Sequence, residues 1–370
     1  MSERNYWLGF SIFSGIGPMK FKKLLERFGS AKDAWEASKS DLEEVVGEKL
    51  AERFNKFRNE FSISDYAAKV QSKNVSFLTL EDKEYPSLLS QIKNPPFVLY
   101  VKGDKKILKQ VQDDSENRRY IAVVGTRRTT QYGREVTALL TQELVAAGFT
   151  IVSGLAIGVD AISHKTAIEN SGKTIAVLGC GVDCCYPSAN QHIYNSIVKS
   201  SGCILSEYPL GTRPTKGSFP SRNRIIAGLS IGVLVTEGAE DSGSLITADY
   251  ARKFGRPVFA VPGPITSGMS KGPYKLIQRG AKLVTKAEDI LKEFKIQNSK
   301  GKITTQNSKV NDATKEEMEI LKLLQNEPLH FDELVRRTRF DSSKIGALLS
   351  LMEIKGLIKG LESGQFSITS

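Results

Sequence analysis

The sequence predicts an α/β protein: a Rossmann-like parallel-sheet core between an N-terminal helical domain and a C-terminal winged helix. Three observations predict it. From residue 119 onward, short continuous apolar runs alternate with amphipathic stretches, the pattern of a parallel sheet covered on both faces. Residues 1–75 repeat apolar side chains at helical spacing. Residues 313–370 read as three helices and then a hairpin, the order of a winged helix. At 370 residues the chain is too long for one ordinary domain.

In the first domain, KFKKLLERFGSAKDAWEAS places Phe21, Leu24, Leu25 and Phe28 on one helical face and stops at Gly29. Just before it, SGIGP sets Gly15 and Gly17 between two helices. Such a turn either joins packed helices or aims backbone N–H groups at a phosphate. Residues 76–118 read as a connecting segment.

The core domain spans 119–294. YIAVVG, FTIVSG, TIAVLG, CILSEYP, IGVLVTEG and PVFAVPG are its expected strands, most of them ending in a glycine turn. In such sheets ligands sit beyond the carboxyl ends of the strands. The turns VGTRR, SGLAIGVD, LGCGVD, TEGAEDSGSL and VPGP therefore converge on one rim. None is G-x-G-x-x-G and none is a Walker A loop, which weakens dinucleotide and nucleoside-triphosphate readings. Several turns able to offer N–H groups to phosphates remain.

Residues 295–312, KIQNSKGKITTQNSKVND, have few apolar side chains and read as a flexible linker. Beyond it, ATKEEMEILKLLQNE, HFDELVRRTRF and DSSKIGALLSLMEIKG are the three helices. The third is capped by Asp341 or Ser342, and a hairpin turns around Ser363 and Gly364.

The net charge is +11, unevenly spread. Residues 119–294 hold 20 Lys and Arg against 13 Asp and Glu, whereas 313–370 hold 8 against 9. A basic core is consistent with a polyanionic partner or with a merely soluble basic surface. The presumed recognition helix of the acidic module offers Lys344 and Lys355 against Asp341 and Glu353, which favours a protein contact or spacer over duplex reading. No apolar run approaches the ~18 residues of a membrane helix. With no secretory signal in view, a cytoplasmic protein is expected. The cysteines Cys180, Cys184, Cys185 and Cys203 have neither disulfide nor zinc spacing, and buried packing is expected of them.

The segment TKGSFPSRNRIIAG carries Lys216, Phe219, Arg222 and Arg224 immediately before a buried run. Arg127 and Arg128 follow Gly125 directly after a strand. Cations grip phosphates, and an aromatic ring gives an unpaired base a face to stack on. That combination suits single-stranded nucleic acid better than duplex. The alternatives are core packing for Phe219 and internal pairing of Arg222 and Arg224 with Glu207, Glu237 or Asp241. Catalysis has thin support. His164 beside Asp160 could form an acid–base pair, and Glu237 with Asp241 could serve a glycosidic hydrolysis. No catalytic or metal-binding residue and no cofactor is expected.

Taken together, VVGTRRTTQYG, IVSGLAIGVDAISHKTA, GCGVDCCYP, LSEYPLGTRPTKGSFPSRNRIIAGLS, VTEGAEDSGSLITADYA and FAVPG resemble the bacterial DNA-processing protein A (DprA/Smf) family, in order, over nearly all of 119–294. FPSRNRIIAGLS is the most specific piece. GIGP and RFGSAKDAW look like that family's SAM-like/helix-hairpin-helix extension, and the acidic winged helix like its accessory module. The resemblance implies single-stranded DNA binding in natural transformation, loading of the recombinase RecA onto that strand, and a homodimer formed through the Rossmann-like domain. It implies DNA contacts by Arg127, Lys216, Phe219, Arg222 and Arg224. Backbone groups of Gly125, Ser153, Gly154, Ser242 and Gly243 are expected to support them. A second possibility is a nucleotide enzyme or sensor of the phosphoribohydrolase-like Rossmann class, but the P-G-G-x-G-T-x-x-E signature is missing.

Overall fold

The computed structural model describes residues 1–108, 119–200, 202–294, 296, 314–325, 327–361 and 364–368. Apart from Ile296, the expected linker lies outside them, as does Ser363 of the expected hairpin turn. The chain divides into two units, Met1–Ser299 and Lys300–Ser370.

The first unit opens with six helices, α1 (Glu3–Ile12), α2 (Pro18–Phe28), α3 (Ala31–Glu36), α4 (Lys39–Val46), α5 (Glu48–Glu60) and α6 (Ile63–Ser72). Proline at the first position starts α2, and Gly29, at φ 84°, ends it as the sequence predicts. Ser30, Ser38 and Ser62 cap the N-termini of α3, α4 and α6 by accepting from a backbone N–H in the first turn. Trp7, Phe10, Phe21, Trp35 and Phe54 interlock as ring pairs 4.8–5.1 Å apart at the centre.

The stretch expected as a connection does more than connect. It supplies β1 (Val75–Thr79), the short helix α7 (Ser87–Ser90) and β2 (Val98–Gly103). Both strands join the sheet, with β2 antiparallel to β6. Its apolar pattern VLYV is the strand signal, masked in the sequence by the polar residues that follow it.

The core then runs β3 (Arg119–Val124), α8 (Gln131–Ala146), β4 (Phe149–Ser153), α9 (Val159–Glu169), β5 (Thr174–Val177), α10 (Gln191–Lys199), β6 (Cys203–Ser206) and α11 (Ser218–Leu229). It closes with β7 (Gly232–Val235), α12 (Ser244–Lys253), β8 (Val258–Ala260), α13 (Lys271–Gln278), β9 (Lys282–Leu283) and α14 (Ala287–Glu293). The strand order is β1-β2-β6-β5-β4-β3-β7-β8-β9, with β3–β9 mutually parallel. This is the Rossmann-like core. On one face of the sheet, Ile225 and Ile226 of α11, Ala248 of α12 and Leu276 of α13 are buried; on the other, Leu140 and Leu144 of α8, Val159 of α9 and Ile290 of α14. The helical region shares its apolar cluster with Tyr100, Ala176, Ile193 and Ile204 of the sheet domain. Hydrogen bonds tie the seam, among them Ser11 Oγ to Tyr100 Oη at 2.7 Å and Leu210 N–H donating to Tyr66 Oη at 2.9 Å.

The second unit is a winged helix. Helices Lys315–Leu324, Phe331–Thr338 and Ser342–Ile354 pack on a three-stranded sheet of order β10-β12-β11, with β10 (Leu329–His330), β11 (Ile358–Gly360) and β12 (Gln365–Ile368). Two strands were expected; the two-residue β10 is the addition, too short to leave a pattern. Ile320, Leu334, Ile345, Leu349 and Met352 form its core. No helix among the described residues is long and apolar enough to cross a membrane.

Candidate nucleic-acid interface

Strands β3 and β7 lie side by side, yet the chain leaves them in opposite directions, from β3 toward β4 and from β7 toward β8. The connecting helices diverge there, and a crevice opens at the carboxyl ends. It is a cleft of about 700 Å³. One wall is the β3–α8 turn, Gly125–Arg128. The second is the β7–α12 turn through Ser242 and Gly243, and the third is the start of α11. Three of the five expected turns contribute to it. The VPGP turn does not line it; its carbonyls instead accept from the hydroxyls of Tyr132 (to Pro262 O) and Tyr274 (to Gly263 O).

The start of α11 is fixed locally. Thr215 N–H donates to Ser218 Oγ at 3.1 Å, and Ser218 N–H returns a bond to Thr215 Oγ1 at 3.2 Å. This closed turn leaves Lys216 exposed and lays Phe219, half-buried, along the cleft wall. The Arg127 guanidinium sits 5.4 Å from the Phe219 ring centroid. Arg127, Arg128 and Lys216 are all exposed. Among the described residues none of the three has a carboxylate within ion-pair distance. Residues 89 positions apart, Arg127 and Lys216, thus meet on one cleft with their charges unpaired.

The other two arginines are a correction. Arg222 is only 5% exposed. Its Nη1 donates to Gly154 O at 2.6 Å and to Val177 O. Burial pushes this guanidinium below its ordinary value, while nearby Asp160 pulls it back up. Arg224 turns to the opposite side of α11 and pairs with Glu207, both about nine-tenths buried. Helical geometry explains the split: Arg222, three residues after Phe219, stays on the cleft side of α11, while Arg224, two residues further on, points to the opposite face. Neither is a free cation on the rim. Arg222 lies beneath the rim as part of the cleft floor.

The backbone contacts sort similarly. Ser153 is fully buried, and its hydroxyl donates to Val123 O at 2.7 Å. Gly154 is glycine for a packing reason: a Cβ there would stand 2.2 Å from Arg222 Nη1. Its N–H already donates to Asp160 Oδ2 at 3.1 Å. These two positions build the floor rather than face a ligand. Gly125, Ser242 and Gly243 do line the cleft. Gly243 is the exposed N-cap of α12, with no side chain capping the helix, so that N-terminus faces the cleft.

The candidate catalytic groups have structural tasks. Glu237 accepts from Thr130 N–H at 2.9 Å and Thr130 Oγ1 at 2.6 Å, at the start of α8. That leaves no free partner for Asp241 in a two-carboxylate reaction. His164 is fully buried and hydrogen-bonds Thr174 Oγ1 at 2.7 Å through Nδ1. Burial pulls its pKa down to about 3, and its Nδ1 partner is Thr174 rather than Asp160. Asp160 accepts from Gly154 and Ala156 N–H, shaping the β4–α9 turn. All four cysteines are free thiols; burial pushes Cys180 up to about 12 and Cys185 up to about 11.

One cleft residue escaped the sequence reading. The Tyr186 ring stands 5.5 Å from Phe219, tilted by 32°, and lines the same cleft. An aromatic in a rim turn was the available signal, obscured by the cysteines beside it.

Fold and site together define a Rossmann-like protein with a cationic, aromatic switch-point cleft in place of a dinucleotide fingerprint. The comparisons narrow this further. The family described as DNA recombination-mediator protein A matches residues 76–295, and the DprA winged helix domain matches 305–364. The chain belongs to this DprA/Smf family of DNA-processing proteins. It is 41% identical to the DNA processing protein DprA of Streptococcus pneumoniae over 295 residues, 80% of this chain and 99% of the relative. It is 42% identical to protein Smf of Synechocystis over 295 residues, 78% of this chain and 72% of the relative. The crystal structure of the S. pneumoniae protein superposes with a TM-score of 0.67 at 38% identity, covering 78% of this chain and 97% of that one. A Helicobacter pylori DprA structure, described for its single-stranded DNA binding mode, gives 0.51 at 34% identity over 59% of this chain and 95% of that one.

Proposed function

We propose that this protein binds single-stranded DNA along the switch-point cleft and loads RecA onto it during natural transformation. It acts as a cytoplasmic homodimer and performs no bond-breaking chemistry. One observation carries the proposal: Arg127 and Lys216, unpaired, flank the Phe219 ring on a single cleft. Cations without internal partners attract an external anion, and a ring between them suits a chain whose bases are exposed. The binding mode described for the H. pylori relative supports the same reading. Gly125, Ser242 and Gly243 are proposed as supporting backbone contacts.

An electrophoretic shift comparing single-stranded with duplex DNA across a salt series tests binding. Preference for the single strand is expected, with affinity falling linearly on a log–log salt plot. Equal binding of both forms refutes the proposal. RecA loading is read as faster filament formation on DNA coated by single-strand-binding protein. Dimerisation is read from sedimentation. Release of ribose phosphate from nucleoside monophosphates would instead favour the phosphoribohydrolase-like class; no turnover is expected, because Glu237 is engaged by Thr130, the N-cap of α8.

A further inference from the structure

On the far side of α11 lies a second recess, of about 510 Å³, which shares no lining residue with the cleft. The six-helix region and the sheet domain build it together. One wall is the α1–α2 turn with the start of α2, Gly17–Lys20; the other holds Asn94, Glu207 and Arg224. The turn is fixed from within. Gly15 sits at φ 129°, where a side chain is strained, and Arg53 donates to Ser14 O at 3.2 Å. It presents the N-terminus of an eleven-residue helix whose N-cap, Gly17, has no side chain to cap it. The Gly17 backbone is ordinary, at φ −88°, and a Cβ there would meet nothing within 4 Å. Neither strain nor crowding calls for glycine at this position. Its effect is to leave the Met19 and Lys20 N–H groups uncapped before open space. A separate observation comes from the opposite wall. Arg224, about nine-tenths buried, donates from Nη2 to Glu207, while its buried Nη1 has no hydrogen-bond partner. A buried guanidinium N–H without an acceptor is costly unless a ligand supplies one.

We propose that this recess binds a phosphate group of single-stranded DNA that has crossed the first turn of α11 from the cleft. The proposal rests on the single-strand reading above and adds an anchoring point outside the cleft. The donors are the Met19 and Lys20 N–H groups, Lys20 Nζ and Arg224 Nη1. Lys20 is exposed and, among the described residues, has no carboxylate within ion-pair distance. The one carboxylate lining the recess, Glu207, is already matched by Arg224, so Lys20 and the helix N-terminus leave the site positive. Asn94 Oδ1, buried and likewise unpartnered, is free to accept from a hydroxyl or amine of the same ligand. The route is short. Pro220 lines the cleft and its neighbour Ser221 the recess, on opposite sides of a helix roughly 10–12 Å across.

The test uses the full chain and fluorescent oligo-dT of two lengths, about 4 and about 16 nucleotides, the ends of the range that single-strand grooves occupy. The short strand fills the cleft alone; the long one reaches both sites. Gly17→Asp sets a capping carboxylate on the free N–H groups and repels phosphate. It should melt no lower than the unsubstituted chain, yet bind the long strand about tenfold more weakly and the short strand equally well. Lys20→Ala should lower the log–log salt slope by about 0.7 on the long strand only. Long-strand affinity and slope unchanged in both variants overturn the recess while leaving cleft binding standing. So does an equal loss on both lengths, which would place the effect in the cleft. Failure of the unsubstituted chain to bind either length removes both readings. Inorganic phosphate separates the two sources of the anion. If it raises the melting temperature of the unsubstituted chain but not of Gly17→Asp, and both bind the long strand alike, the recess takes free phosphate and the strand assignment falls.

Discussion

Replacing Arg127 with alanine separates the electrostatic account from its rivals. Arg127 is exposed and has no carboxylate partner among the described residues, so its removal breaks no internal ion pair. It lies 5.4 Å from the Phe219 centroid, a contact worth roughly 0.5–1 kcal/mol at an exposed site. A charge-assisted hydrogen bond to a phosphate contributes about 1.5–3 kcal/mol. The ring contact is present in the free protein and counts toward stability, so the phosphate bond alone predicts a loss of about 1.5–3 kcal/mol in binding at low salt, or roughly 10- to 150-fold. One phosphate contact fewer also lowers the log–log salt slope by about 0.7. Stability should fall by no more than about 1 kcal/mol, the size of the lost ring contact. Fluorescence anisotropy at four or five salt concentrations measures affinity and slope together, and a thermal melt checks the fold. Arg127→Lys keeps the charge, so its slope should match the unsubstituted protein while its affinity falls by less. An Arg127→Ala protein that stays folded and binds with an unchanged slope refutes the account.

The remaining predictions address floor, stability and modularity. Gly154→Ala drives a methyl group against Arg222 Nη1 and should cost about 1–3 kcal/mol by overpacking, seen as a lower melting temperature together with weaker oligonucleotide binding. His164 is held neutral, its pKa about 3 against an ordinary 6.5, so its contribution is whole above pH 6.5 and lost as pH falls toward 3. The slope is at most about 1.4 kcal/mol per pH unit. Asp160 and Glu207, both pushed up by burial, act in the opposite sense. Urea titrations of the unsubstituted protein and His164→Gln between pH 4 and 7 isolate the histidine: the variant should lose less stability on acidification. A chain ending at Ser299 should bind single-stranded DNA with near-native affinity, because the cleft is built within the first unit; a loss beyond about tenfold would assign the winged helix a direct part.

Much of this architecture was legible in the residues. The parallel core announced itself through YIAVVG, FTIVSG and IGVLVTEG, because strands buried on both faces need unbroken apolar runs. The meeting of Arg127, Lys216 and Phe219 followed from one rule, that strand ends share a rim. What resisted reading was direction. R-N-R looks like two equivalent cations, but α11 sends one into the floor and the other to Glu207 on the far side. Sequence shows which charges exist; the helical turn and the nearest carboxylate decide which of them meet solvent. Gly154 misled for a related reason. A glycine at a strand end suggests an open approach for a ligand, and here the empty space is filled by the protein's own guanidinium. β1 and β2 were missed because an edge pair added antiparallel to a parallel sheet has no helical crossover to mark it.

The helix that begins beside Lys216 also carries, farther along, Gly228, where a Cβ would stand 2.9 Å from Leu89 and 3.0 Å from Ile92. Those residues belong to the cluster that buries α11, whereas the six-helix region shares its oily interior with the sheet in a separate cluster around Tyr100. The amino-terminal helices are therefore not an ornament that deletion could trim away. A fragment beginning after residue 75 would bare Tyr100 and its neighbours to water. A melting curve of such a fragment, set against that of a chain running from Met1 to Ser299, is expected to show the lower transition.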